Sequence, residues 1–134
     1  MSDRPIELNP PAGLYEATEI YCTLTFEGFH RWLDAPQEVA FLRSYHRHVF
    51  HVTAAKRVTH DDRDIEFILL KREIEAAISQ VQNAHNDVVS EWSCEHWAKW
   101  IGRTFACTRV SVSEDGENGA IWHGCVIAMQ NKTP

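Results

Sequence analysis

The 134-residue sequence predicts an α+β domain: an antiparallel sheet with two helices on one face, in the order β-β-α-α-β-β. Three observations predict it. Ile20, Cys22, Leu24 and Phe26 alternate with Tyr21, Thr23 and Thr25, the period-2 pattern of a half-buried strand. Phe67, Leu70, Ile74, Ala77, Ile78 and Val81 recur at helical spacing. Asp115-Gly116-Glu117-Asn118-Gly119 carries the chemistry of a hairpin turn.

The elements follow in order. Residues 1–13 hold Pro5, Pro10, Pro11 and Gly13 and read as an N-terminal arm to a single domain spanning 1–134. Leu14 to His30 reads as a long strand, with Gly28 marking a bulge or a close approach. Residues 31–44 form a connection around Asp34-Ala35-Pro36. Tyr45 to Arg57, rich in Val, Phe, His and Thr, is the second strand and pairs with the first. The polar run 59–64 leads into the first helix, over 67–81, with Asp64 or Glu66 at its positive end. Residues 82–92 form a polar connection. Ser93 caps a second helix, in which Trp97, Trp100, Ile101 and Phe105 line one face. Thr108 to Glu114 and Ala120 to Met129 are the last two strands.

Composition narrows the function classes. Hydrophobic residues make up 44% and charged residues 24%, ordinary for a globular chain. The net charge of -6, from 13 basic and 19 acidic residues, argues against a nucleic-acid partner, which needs a basic face. No apolar run approaches the roughly 20 residues that span a bilayer, and the polar start lacks a signal peptide's apolar core. A soluble, cytoplasmic protein with no membrane partner is expected. Cys22, Cys94, Cys107 and Cys125 form no C-x-x-C pair, so reduced thiols are expected.

The eight histidines are the compositional outlier, against about three for average usage. His46 and His48 lie two apart on a strand and therefore point the same way. His30 ends the preceding strand, beside them if the two strands pair. Three histidines with an open fourth position make a catalytic zinc arrangement. Spacing alone leaves a chance H-x-H pair open. Zinc is preferred to iron because no carboxylate obviously completes a facial triad. His51 falls on the opposite face, and His60, His96 and His123 lack partners at useful spacing.

Several motifs then carry a family resemblance over about residues 20–125. Phe26-Glu-Gly-Phe-His30 is similar to an F-x-x-x-H motif, and His46-Arg-His48-Val-Phe50 to H-G-H-x-[YF]. Ile65-Glu66-Phe67 with Leu70-Lys71 is similar to [VI]-D-F-x-x-L-K. Ser93-Cys94-Glu95 with Ala98-Lys99-Trp100-Ile101 is similar to T-x-E-x-x-A-x-W-I. Val110-Ser-Val112-Ser-Glu114 resembles V-x-V-x-E-T. In this order they resemble the 6-pyruvoyltetrahydropterin synthase and 6-carboxytetrahydropterin synthase family.

That resemblance implies a tunnelling (T-) fold that oligomerises into a barrel, commonly as a homo-hexamer. It implies Zn2+ on His30, His46 and His48, and a pterin-like small-molecule substrate such as 7,8-dihydroneopterin triphosphate or a related deazapurine (queuosine-type) precursor. It assigns Glu114 to the N–H edge of the substrate ring, where a carboxylate accepts two parallel bonds. Glu95 either assists at the ring or caps its own helix. The chain departs from the family where its catalytic cysteine is expected, which is Leu42 here. Arg47 stands for the middle glycine and Glu66 for the helix-start aspartate. The acid–base candidates that remain are His85, with Asp87 to orient it, and Cys94. A thiol in a helix's first turn can have a lowered pKa, or it can be buried and inert. Arg31, Arg43 and Arg47 could meet a phosphate, and Trp32 and Tyr45 could stack on a ring; Phe50 is expected in the core. The implied function is a zinc-dependent lyase, or a pterin- or purine-binding protein that keeps the pocket without turnover.

Overall fold

A computed structural model describes residues 9–124. Its strands are β1 (Thr18–His30), β2 (His46–Val58), β3 (Arg109–Glu114) and β4 (Asn118–His123). They form one antiparallel sheet in the order β1-β2-β3-β4. Between β2 and β3 lie α1 (Phe67–Ala84), the single-turn α2 (Asn86–Val89) and α3 (Cys94–Phe105). The architecture is α+β, compatible with the expected β-β-α-α-β-β layout. No helix among the described residues is long and apolar enough to cross a membrane.

Cross-strand partners project to the same face, so the sheet is best followed as rows. Cys22, Ala54, Val110 and Trp122 make one row. Leu24, Val52, Val112 and Ala120 make the next. Phe26, Phe50, Glu114 and Asn118 make the third. Beyond the β3–β4 hairpin only two strands continue, with Gly28 opposite His48 and His30 opposite His46. The first two rows are apolar and join the hydrophobic core with Leu70, Ile74 and Ile78 of α1 and Trp97, Ala98 and Ile101 of α3. The third row is mixed, and the last two bear histidines. One face therefore turns from core to polar site along its length.

The helices form where their apolar spacing allows. Leu70, Ile74 and Ile78 repeat every four residues and are the buried side of α1. Glu66 caps α1 by accepting from the Ile68 N–H, while Asp64 accepts from the Thr59 N–H and hydroxyl instead. The Ser93 hydroxyl accepts from the His96 N–H at 3.2 Å and starts α3, as the sequence predicts. α3 stops at Ala106, which takes a left-handed φ of 51°, and the Cys107 N–H closes back onto Gly102 O. Gly102 is a close approach: a Cβ there would stand 2.2 Å from Cζ3 of Trp122.

Some expectations need correction. α1 runs one turn past residue 81, and α2 occupies the presumed connection. The connection 31–44 contains a 3-10 segment, Gln37–Arg43. Gly28 sits in unbroken register, so no bulge forms there; a Cβ on it would meet the Phe50 ring at 2.9 Å, making it a close approach. β4 starts at Asn118 rather than residue 120, and residues 125–129 of the expected strand lie outside the described residues. Cys22, Cys94 and Cys107 are free thiols, as expected; Cys125 lies outside the described residues.

Candidate metal centre

His30, His46 and His48 come together because β1 ends where β2 begins. Each offers a ligand nitrogen, and these atoms all lie within 4.8 Å of one another. Second partners fix the rings. His30 Nδ1 donates to the Trp92 carbonyl at 3.0 Å, and His46 Nδ1 donates to the Ser44 carbonyl at 2.8 Å. His48 Nδ1 donates to the Asp115 carboxylate at 2.6 Å. A carbonyl can only accept, so the proton must sit on Nδ1 and the lone pair on Nε2. This is how metal-binding imidazoles are oriented by their supporting partners.

The arrangement passes a direct test of fit. His48 Nε2 is buried and, among the described residues, has no hydrogen-bond partner. A buried polar atom left unpaired is rare, and a place for a bound ion is one of its ordinary explanations. The three histidines lie close together and can hold a metal ion. Burial holds His30 below the usual imidazole range, and the Trp92 carbonyl only partly opposes this. Its neutral form therefore costs the fold nothing above the unfolded value near 6.5, and stability is lost as pH falls through the lower folded value.

Asp115 was read from sequence only as a turn residue. It has a φ of 56° in the β3–β4 hairpin, which folds its carboxylate back onto β2. One oxygen takes His48 Nδ1 and the other takes the Val49 N–H at 2.9 Å. These two bonds hold the carboxyl below the usual carboxylate range. Spacing gave no signal for this role, because it depends on a contact 67 residues away in sequence.

A cavity of about 600 Å³ opens beside the triad. His30, His46, Glu114, Cys94, Glu95 and Leu42 line it, with Trp32 and Trp92 among its walls. Glu114 stands with Oε1 3.4 Å from His30 Nε2 and Oε2 3.4 Å from His48 Nε2. A carboxylate therefore does lie against the histidines, contrary to the premise that favoured zinc over iron. It escaped sequence reasoning because it depends on the β2–β3 register, which aligns Phe50 with Glu114 across 64 residues. Glu95 does not cap its helix, since Ser93 does.

Of the two readings of Cys94, the buried thiol holds. Its thiol does not have the lowered pKa that a helix's first turn can give. Burial, with Glu114 and Glu95 nearby, pushes it up to about 12. Burial pushes Cys107 up to about 11 and raises Cys22 as well. At pH 8 all three are expected to resist iodoacetamide in the native protein and to react once denatured, read peptide by peptide by mass spectrometry. Fast native labelling of Cys94 would contradict its environment.

His85 and Asp87 are not brought to the triad within the protomer. His85 is the exposed residue between α1 and α2, Asp87 is exposed in α2, and neither lines the cavity. The arginines are paired with the protein's own groups, Arg31 within the cavity lining and Arg43 and Arg47 outside it. Arg31 pairs with Glu91 at 2.9 Å and lies 4.3 Å over the Tyr45 ring. Arg43 donates to Ala35 O, and Arg47 pairs with Glu27. Phe50 is core, as expected, at 1% exposure. His51 is exposed on the other face of the sheet, and His60, His96 and His123 lie outside the cluster.

A scan of protein-family models finds no match to the chain, and neither does a search of curated proteins. The functional reading therefore rests on the site.

Proposed function

We propose that the chain is a zinc-dependent lyase acting on 7,8-dihydroneopterin triphosphate or a related pterin or deazapurine precursor. The observation that carries this reading is the convergence of three anchored imidazoles beside a cavity that also holds Glu114. The resemblance of its motifs to those of the tetrahydropterin synthase family supports it.

When bound, a zinc ion supplies Lewis acidity toward a substrate oxygen and acidifies the neighbouring C–H. The protein's own groups do the rest. Trp92 O, Ser44 O and Asp115 hold the three rings in the ligating tautomer. Glu114 and Glu95 present acceptors to the N–H edge of a ring, and Trp32 and Trp92 offer apolar surfaces for it to pack against. Leu42 fills part of the wall with a group that cannot move a proton. Cys94 can donate its S–H, but with a pKa of about 12 it is not a base at neutral pH. A proton acceptor must then come from Glu114, from Glu95 or from a second copy of the chain. β1 is a 13-residue edge strand, and such edges are normally covered. A homo-oligomeric barrel, hexameric as in the family, would cover it and bring a neighbour's exposed His85 and Asp87 within reach.

A second reading is a binding protein that keeps the pocket without turnover; Leu42 and the protonated Cys94 favour it. Zinc-loaded protein incubated with 7,8-dihydroneopterin triphosphate separates the two when products are followed by chromatography. Turnover is expected, and it is expected to vanish in His46→Ala. Tight binding without product would replace the first reading with the second. Neither binding nor turnover would end both.

A further inference from the structure

His30 and His48 each commit the Nδ1 hydrogen elsewhere, so each presents a bare lone pair at Nε2. Glu114 aims one carboxylate oxygen at each, 3.4 Å away in both cases. Two acceptors facing each other with no hydrogen between them repel. A second N–H proton on one ring would relieve this at that ring only. A cation between the acceptors relieves it at both rings at once. The spacing also suits a shared ion. Ligands about 2.0–2.1 Å from a tetrahedral ion are roughly 3.3–3.4 Å apart. Oε1 of Glu114 stands at that spacing from His30 Nε2, and Oε2 stands at it from His48 Nε2.

We propose that Glu114 is the fourth protein ligand, so that the resting site is closed as three histidines and one glutamate. This rests on the reading that the triad holds a metal. It deepens that reading by giving Glu114 a role other than ring anchor. The two roles compete, because lone pairs and charge given to the ion leave the carboxylate a weaker acceptor for a ring's N–H pair. Glu114 lines the cavity and its side chain is 31% exposed, so it has room to leave the ion. A ring whose N–H edge recruits Glu114 would thereby open the metal's fourth position. Ligand recognition and exposure of the ion become one event.

Cobalt(II) reports this without turnover. Metal-free protein is loaded with cobalt and its visible spectrum is followed from pH 6.5 to 9, alone and with azide. The wild-type spectrum is expected to be four-coordinate, unchanged with pH and little altered by azide. In Glu114→Ala a water takes the vacated position. That spectrum should then change with an apparent pKa of about 7, as for water on such an ion, and respond to azide. Competition with a chelator should show at least tenfold weaker binding, with Glu114→Gln intermediate. A wild-type spectrum that already titrates near pH 7 and responds to azide would overturn the proposal, and this needs no variant. So would equal affinity in wild type and Glu114→Ala. Both would leave the triad intact as a metal site. Failure of the wild type to take up cobalt would instead overturn the metal reading itself, and this proposal with it.

Discussion

His48→Ala is expected to abolish tight metal binding while the chain stays folded. The residue sits at the centre of the site. Its Nε2 is buried without a hydrogen-bond partner among the described residues, its Nδ1 is held by Asp115, and its ring centre lies within 5.0 Å of both other imidazoles. Loss of a supporting partner typically weakens metal binding about 10–100-fold, and loss of a ligand exceeds that. Asp115→Asn supplies the comparison. An asparagine oxygen can still accept from Nδ1, but it returns no charge to the ring, so about a tenfold loss is expected. Competitive titration with a chromophoric chelator ranks the three proteins. If His48→Ala retains wild-type affinity, the cluster is not the metal site. The stability cost should be small, because His48 lies beyond the apolar rows of the sheet.

The largest stability effect is expected at the hairpin. A Cβ on Gly119 would fall 2.1 Å from the Val112 carbonyl oxygen and 2.6 Å from Cα of Ser113. Both are backbone atoms of β3, so no rotamer change relieves the clash. Ordinary overpacking costs about 1–3 kcal/mol, and a backbone collision belongs at or above the upper end. For a domain of this size that lowers Tm by about 10 °C or more. The damage should also reach the site, because Gly119 pairs with Ser113 and Asn118 with Glu114. Gly119→Ala is therefore expected to lose stability and metal affinity together. Thermal unfolding with and without metal checks both, and a Tm within 2–3 °C of wild type would contradict the packing seen at the hairpin, at about 1 kcal/mol or less.

Much of this was legible where local pattern decides structure. Alternation located β1 and β2, and their pairing brought His30 to His46. Helical spacing located Leu70, Ile74 and Ile78, and Ser93 announced α3. The rest depended on register between distant segments. Nothing near Glu114 or Asp115 reveals that one faces the imidazoles and the other turns back to His48. α2 has four residues, too few for a period to show. Burial of Cys94 decides between its two sequence readings in favour of the inert thiol, because desolvation outweighs a helix's first turn. His85, which the resemblance implies, and its proposed partner Asp87 lie outside the protomer's own cavity.

The rows of the sheet carry one more consequence. Phe50 is fully buried in the core, yet its ring centre lies 5.5 Å from that of His30 and 6.0 Å from that of His48. Core and ligands form one continuous surface, so the triad cannot assemble in the unfolded chain. Loading and folding are then linked equilibria. An ion that binds only the native triad adds about 2.7 kcal/mol at a hundredfold excess over its Kd. The fraction of chain that stays folded should therefore follow the free metal concentration around it.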